Sequence, residues 1–89
     1  MMERKLIIRN KYGLHARPAA RFVETASQYD ADVYISKDGL EVNGKSIMGV
    51  LMLAAEKGSE IILRTDGEDE TLVAEALAAL LEGDLDEGM

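Results

Sequence analysis

The chain has 89 residues, with ten basic and seventeen acidic side chains and a formal net charge of −7. This length fits one small domain over residues 1–89, and a hydrophobic content of 47% allows a single core. There is no cysteine, so disulfides and thiolate metal sites are excluded. The negative charge argues against general nucleic-acid binding. No apolar run approaches the roughly 20 residues that span a bilayer, and no signal peptide is recognised, so a cytoplasmic protein is predicted.

The charge is unevenly spread along the chain. From residue 65 onward there are nine acidic residues and no basic ones, whereas residues 1–21 hold six basic residues and one acidic residue. Such asymmetry suits docking to an acidic partner or handling of an anion. Two differently solvated faces would explain it equally well.

The first predicted strand is RKLIIRN, residues 4–10, a β-branched apolar run between charges. A polar loop follows, in which Gly13 allows the chain to turn. A helix is then predicted from Ala16 to residue 29 or 30, with Pro18 in its first turn, where a fixed φ is favourable. Its apolar stripe has the spacing i, i+3, i+4, i+7 and consists of Ala19, Phe22, Val23 and Ala26.

The clearest hairpin is ADVYISKDGLEVNG, residues 31–44, in which apolar and polar residues alternate on both sides of Asp38-Gly39. This dipeptide tolerates the positive φ that a two-residue turn requires. The very apolar SIMGVLMLAA comes next and predicts a short helix with Ser46 as its N-cap. Gly49 inside this segment is unfavourable for a helix.

The last two elements are a strand in SEIILRTDG, residues 59–67, and a helix in EDETLVAEALAALLEG, residues 68–83. Three acidic residues are predicted in the first turn of this helix, where they complement its dipole. Its apolar face is predicted to consist of Val73, Ala76, Leu77 and Leu80. Gly83 is expected to end the helix, and the tail over residues 84–89 is expected to be frayed. The order β-α-β-β-α-β-α predicts an antiparallel or mixed sheet with helices on one face.

His15 is the only histidine of the chain and stands directly before the first predicted helix. A helix N-terminus presents unpaired N–H groups and a partial positive charge, which stabilise an anion. An imidazole is nucleophilic near neutral pH, and the Arg17 guanidinium can form two parallel hydrogen bonds with phosphoryl oxygens. His15 could therefore accept a phosphoryl group, held by the N–H groups of Ala16 and Arg17 and by the Arg17 side chain.

From these residues alone, a plain structural role for His15 remains open, because a lone histidine at this position often caps a helix or lies in a surface loop. A metal site is poorly supported, since there is no second histidine and no cysteine. A Ser-His-Asp hydrolase is also poorly supported, because no nucleophile motif accompanies the histidine.

Two stretches, GLHARPAA from Gly13 and GKSIMGVLMLAA from Gly44, together resemble HPr. HPr is the histidine-containing phosphocarrier family of the bacterial phosphoenolpyruvate-dependent sugar phosphotransferase system. The resemblance covers nearly the whole chain, including its length and strand order. It implies an α+β fold, an open-faced β-sandwich in which a four-stranded antiparallel sheet carries three helices on one face.

The resemblance also implies roles for the matching residues. His15 matches the histidine that accepts a phosphoryl group on Nδ1 from phosphorylated Enzyme I and passes it to the IIA component of a sugar permease. Arg17 matches the arginine that pairs with this group, and Pro18 matches the proline at the helix start. Such a protein is a stoichiometric carrier rather than a turnover enzyme. We expect a monomer that needs no metal or cofactor and enters neither a membrane nor a nucleic-acid complex.

Ser46 and the apolar residues after it form a second predicted site. KSIMGV resembles the segment that HPr kinase/phosphorylase modifies in this family, so regulatory phosphorylation is predicted at Ser46, beside its role as N-cap. The following segment is too apolar to be buried on every side in so small a domain. Ile47, Met48 and Leu51 are therefore expected to face outward and dock partners, a choice that also rests on the resemblance.

Two features leave the physiological role open. The acidic tail GDLDEG resembles the nitrogen-related branch of the same system, whereas KSIMGV resembles the kinase-regulated sugar branch. The alternatives are thus a nitrogen-branch phosphocarrier and a regulatory binding module that contacts a transcriptional regulator through phosphorylated Ser46. Some HPr-like proteins lack the histidine and act in this second way, and the intact HARP of this chain argues against it as the only function.

Overall fold

Four strands and three α-helices follow one another in the β-α-β-β-α-β-α order. The computed structural model describes residues 1–9, 11 and 13–84, the last of these by its backbone only. The elements are β1 (Met2–Ile7), α1 (Ala16–Ala26), β2 (Asp32–Lys37), β3 (Leu40–Asn43), α2 (Ile47–Met52), β4 (Glu60–Asp66) and α3 (Glu70–Ala79). A π-helical turn over Leu80–Asp84 follows α3. In this part of the chain, no helix is long and apolar enough to cross a membrane.

The four strands form one fully antiparallel sheet in the order β1-β4-β2-β3. The last strand in sequence, β4, therefore lies between the first and the second. Along β2, Val33 and Ile35 are buried while Tyr34 and Ser36 are partly exposed. Because neighbouring side chains point to opposite faces, one face of the sheet packs against the helices and the other is open. The predicted open-faced sandwich is confirmed.

The core lies between the sheet and the helices, and α1 supplies its largest side chain. Phe22 is fully buried, as are Ala19 and Ala26, and Val23 packs against them from a partly exposed position. This confirms the predicted stripe of α1. Burying a phenylalanine side chain contributes roughly 1.5–3 kcal/mol.

The predicted two-residue turn joins β2 to β3. Asp38 has φ 51 and Gly39 has φ 86. Two consecutive left-handed residues are the geometry that matches the twist of a tight hairpin.

Two glycines allow α2 and the chain before it to approach the sheet closely. A Cβ on Gly44 would lie 2.5 Å from Val33 Cγ1, and the Gly44 N–H donates to the Val33 carbonyl at 2.7 Å. A Cβ on Gly49 would lie 3.3 Å from both the Asn43 carbonyl oxygen and Val42 Cβ. Close packing against β3 therefore explains the glycine that helix propensity disfavours.

Two element boundaries differ from the prediction. β1 begins at Met2 and ends at Ile7 instead of spanning 4–10; beyond it, Ile8 pairs with the chain before β4 through its N–H and carbonyl. Asn10 lies outside the described residues. α1 ends at Ala26, not at 29 or 30, because the next N–H groups bond three residues back, from Gln28 to Thr25 and from Tyr29 to Ala26. The last turns are thus of the tighter 3₁₀ type.

The start of α3 was also predicted differently. Of the three acidic residues, Glu68 precedes the helix, Asp69 is its N-cap and only Glu70 lies in the first turn. Ala76 is half-buried rather than part of the apolar face; the buried residues of this last helical region are Val73, Ala74, Leu77, Ala78, Leu80 and Leu81. Gly83, which was expected to end the helix, has non-helical φ and ψ within the π-helical turn. The tail predicted to fray lies outside the described residues except for the backbone of residue 84.

The turn between α1 and β2 is held from two sides. The Asp69 carboxylate accepts hydrogen bonds from the Asp30 and Ala31 N–H groups at 2.9 and 2.8 Å. Lys45 Nζ donates to the Tyr29 carbonyl at 2.7 Å. The pKa of Asp69 is held below its ordinary value, mainly by the hydrogen bond from the Asp30 N–H. The Ala31 N–H and the charge of Lys45 contribute less. Three segments distant in sequence thus meet at this turn.

We predict that Asp69→Asn lowers the urea midpoint of unfolding at pH 7, since the amide retains one acceptor oxygen and no charge. Because the folded-state pKa is lowered, the charged carboxylate stabilises the fold fully above the unfolded-state pKa, about 3.9. That contribution is lost as pH falls through the folded-state value. The difference between the two proteins should therefore shrink on acidification from pH 7 towards about pH 3.

The matched control for this prediction is Glu75→Gln. Glu75 is an exposed α3 carboxylate that forms no hydrogen bond or ion pair within the part of the chain that the structure describes. The Glu75→Gln variant should change the urea midpoint of unfolding little at either pH. A difference for Asp69→Asn that stays constant across this pH range would contradict the role of its charge.

Candidate functional site

His15 occupies the N-cap of α1 and its side chain is exposed. Its backbone is extended, with φ −82 and ψ −172, and its carbonyl accepts the first hydrogen bond of the helix from Ala19 N at 2.8 Å. The imidazole itself makes no capping hydrogen bond. His15 thus has the position of a capping residue, but its ring nitrogens are not used in capping.

The first turn of α1 offers two backbone donors. The N–H groups of Ala16 and Arg17 come before the first intrahelical bond, so they have no acceptor within the helix. Pro18 is buried and has no N–H to offer. The donors of this turn therefore lie directly beside His15, at the positive end of the helix dipole.

The Arg17 side chain is exposed, and it forms no hydrogen bond or ion pair with the residues that the structure describes. Its guanidinium is therefore available to an anion at the start of α1. The structure brings His15, Ala16, Arg17 and Pro18 together in one turn. Their roles in phosphoryl transfer stay predictions.

The loop that carries His15 is fastened to the chain after α2. The Leu14 N–H donates to the Ala55 carbonyl at 2.8 Å, and Leu14 is buried. Gly13 has φ +65, and a Cβ on it would lie 2.5 Å from the Ala55 carbonyl oxygen and 2.8 Å from Glu56 Cα. Gly13 is thus required both for its backbone conformation and for this close approach.

The positioning role of Ala55 and Glu56 was not predicted. The sequence predicts only a turn at Gly13, because a contact between positions about forty residues apart leaves no local period in the sequence. The only hint available was the isolated glycine itself, because glycine often marks a close approach of two backbones.

Ser46 is the N-cap of α2, and its Oγ accepts a hydrogen bond from the Gly49 N–H at 3.2 Å. The predicted capping role is confirmed. Regulatory phosphorylation of this hydroxyl stays a prediction.

Helix α2 exposes an apolar stripe. Ile47 is 45% exposed, Met48 72%, Leu51 36% and Met52 66%, whereas Val50 and Leu53 are buried. We call the four exposed residues the α2 stripe. Three of them were expected to face outward. The sequence prediction does not include Met52, although its position four residues after Met48 puts both on the same side of the helix.

Helices α1 and α2 pack against each other, and the hydrogen bonds near their ends indicate that they run in opposite directions. The start of α1 is joined to the end of α2 by the Leu14–Ala55 hydrogen bond, and the end of α1 is joined to the start of α2 by Lys45 and Tyr29. His15 and Ser46 consequently stand at opposite ends of the helix pair, and the α2 stripe lies along the length between them.

No group of three or more histidine or acidic side chains is placed to hold a metal ion in the described residues. The groups that the structure places in the turn of His15 are the N–H groups of Ala16 and Arg17 and the cationic side chain of Arg17. This set of groups suits an anion better than a metal.

Comparison with known proteins agrees with this geometry. The family model described as "PTS HPr component phosphorylation site" matches residues 2–83. The chain is 49% identical over 88 residues to the phosphocarrier protein HPr of Neisseria meningitidis, with 99% of each chain covered. It is 48% identical over 82 residues to the HPr-like protein Crh of Bacillus subtilis, covering 92% of this chain and 96% of Crh.

A solved structure gives the same result in three dimensions. The crystal structure of HPr-C-His from Thermoanaerobacter tengcongensis is 43% identical and matches the fold with a TM-score of 0.92 over 100% of both chains. The match therefore includes the loop before α1, α2 and the open sheet. On the sequence, the fold and the first turn of α1, the chain belongs to the HPr family of phosphocarrier proteins.

Proposed function

We propose that this protein is a cytoplasmic phosphocarrier that accepts a phosphoryl group on His15 from phosphorylated Enzyme I and passes it to a IIA component of a sugar permease. The observation that carries the proposal is the exposed His15 imidazole, which makes no capping bond although it stands at the open N-terminus of α1. Membership of the HPr family supplies the identity of the two partners.

The proposed transfer is a displacement at phosphorus. The lone pair of His15 Nδ1 forms the new N–P bond while the bond from phosphorus to the donor on Enzyme I breaks. The product carries a dianionic phosphoryl group beside the N–H groups of Ala16 and Arg17 and the Arg17 guanidinium. The two backbone donors are already in place in the first turn of α1, so they need little reorganisation when the charge arrives. The reverse steps deliver the group to IIA, and the protein is a substrate of both partners.

The first prediction is that the protein acquires an acid-labile, base-stable phosphate on incubation with phosphoenolpyruvate and a cognate Enzyme I. His15→Ala should acquire none, because the chain has no other imidazole. Radiolabelled phosphate on the two proteins, before and after acid treatment, measures this. A labelled His15→Ala protein, or an unlabelled native one, would contradict the proposal.

We predict that Arg17→Ala slows phosphoryl transfer to His15 by about 10- to 100-fold, the value of one charge-assisted hydrogen bond. Arg17→Lys should recover part of the rate, because it keeps the charge but not the planar pair of donors. Rapid-quench measurement of the transfer rate tests both.

The matched control is Arg21→Ala, which removes the same charge from an exposed position one turn further along α1. It should slow transfer much less. An equal loss in both alanine variants would mean that only the overall charge of the helix matters.

We further propose that the α2 stripe docks both partners and that phosphorylation of Ser46 weakens this docking. A phosphate adds about two negative charges at the start of α2, next to Ile47 and Met48. Partners attracted to the basic residues of α1 would then be repelled. Because Ser46 and His15 stand at opposite ends of the helix pair, this effect acts on docking rather than on the reacting atoms.

Ser46→Asp is therefore expected to raise the KM for phosphorylated Enzyme I about tenfold with little change in kcat. Ser36→Asp, which adds the same charge on the open face of the sheet, should have little effect on either constant. The KM difference should diminish at high ionic strength. A fall in kcat at unchanged KM would instead place the effect on the chemical step.

A regulatory binding module is the second candidate function, and the 48% identity to the HPr-like protein Crh favours it. In that case the chain would act through phosphorylated Ser46 on a transcriptional regulator. The variant His15→Ala distinguishes the two functions, because it abolishes phosphoryl transfer and leaves binding through Ser46 in place.

A further inference from the structure

All sulfur in this chain belongs to five methionines, and the chain has no cysteine. Two of the methionines, Met48 and Met52, are 72% and 66% exposed and lie one turn apart in the α2 stripe. Met2 is different. It is half-buried, and its sulfur accepts a hydrogen bond from Thr71 Oγ1 at 3.0 Å. Met1 is also 70% exposed, but it lies before β1. Met48 and Met52 are therefore the two exposed thioethers in the surface proposed for docking.

We propose that Met48 and Met52 form a peroxide-sensitive modification site, and that their oxidation to methionine sulfoxide lowers the affinity of the α2 stripe for its partners. The second half of this inference rests on the proposed phosphocarrier function. The first half, the faster oxidation of these two thioethers than of Met2, does not depend on it.

The chemistry needs hydrogen peroxide and no other reactant. A sulfur lone pair attacks one peroxide oxygen, an S–O bond forms and the O–O bond breaks. The sulfur is oxidised by two electrons, the peroxide is reduced, and the second oxygen leaves as water with the transferred proton. Dedicated reductases reverse the reaction at the expense of thiols, one enzyme for each sulfoxide epimer.

The consequence for docking follows from polarity. A thioether buries well among apolar groups and adapts to different partners. A sulfoxide oxygen is a strong acceptor, and its neighbours in the stripe, Ile47 and Leu51, offer no side-chain donor. Removing it from water at an interface therefore costs free energy that the thioether does not. The fold is unaffected, because α2 is attached to the core through Val50 and Leu53.

The first experiment measures selectivity. The whole protein is exposed to a limited amount of hydrogen peroxide, digested and analysed by mass spectrometry for the gain of oxygen at each methionine. Met48 and Met52 should be oxidised several times faster than Met2. Equal rates for the three would overturn the assignment of the site.

The second experiment measures docking. The KM and kcat for phosphorylation of His15 by phosphorylated Enzyme I are compared before and after peroxide treatment. The native protein should show a KM raised about tenfold, an unchanged kcat and full recovery with both sulfoxide reductases. Unchanged far-ultraviolet circular dichroism and an unchanged urea midpoint should accompany the loss.

The matched variant carries Met48→Leu and Met52→Leu, substitutions of similar volume. It retains the other three methionines, and it is compared with its own untreated sample, so any effect of leucine itself cancels. Its KM should not respond to peroxide. An equal response in this variant, or no response in the native protein, would overturn the inference. If the untreated protein accepts no phosphoryl group, the phosphocarrier function is contradicted. The proposed effect of oxidation on docking then falls with it, but the proposed oxidation of Met48 and Met52 does not.

Discussion

The approach of Gly13 to the backbone of Ala55 and Glu56 is the constraint on which the candidate site depends. No larger residue fits there, since a Cβ would lie 2.5 Å from the Ala55 carbonyl oxygen. The contact, together with the Leu14 hydrogen bond, fixes where the chain enters α1. His15 then takes the N-cap position with its ring in solvent, and the two free N–H groups of the first turn follow from helix geometry alone. Precise placement of the imidazole thus comes from backbone packing and not from contacts of the ring.

The antiparallel pairing of α1 and α2 separates two kinds of charge. The phosphoryl group proposed for His15 stands where the α1 dipole and Arg17 favour an anion. Ser46 stands at the other end of the pair, where a phosphate meets Lys45 and the apolar start of α2. In the proposed function, one end of the pair holds the charge that moves between partners, and the other end holds the charge that alters which partners bind. The α2 stripe lies between the positions proposed for these two charges.

The sequence predicted what local patterns control. The spacing of Phe22 and Ala26 identified the buried face of α1, and Asp38-Gly39 identified the hairpin turn, because both depend on residues within a few positions. The sequence prediction failed where a segment distant in sequence binds a side chain that local patterns assign to its own helix. Asp69 was expected to complement the α3 dipole, yet its carboxylate binds the N–H groups of Asp30 and Ala31. The motifs around His15 and Ser46 indicated the family, but not that Gly13 rests on Ala55.

Helix α2 and its two cap residues combine structural roles with the proposed binding role, which is possible because these roles lie on different sides of the helix. An isolated helix of this length is unstable in water, so tertiary contacts must hold it. Val50 and Leu53 supply the buried contacts, Gly49 allows β3 to approach, and Ser46 caps the first turn. Within the α2 stripe, Met48 and Met52 are the most exposed residues and contribute least to this burial. In the proposed docking, chemical change at Met48 or Met52 therefore alters partner affinity at little cost to stability. A change at the buried Val50 alters stability first, and it alters affinity only through the loss of the helix.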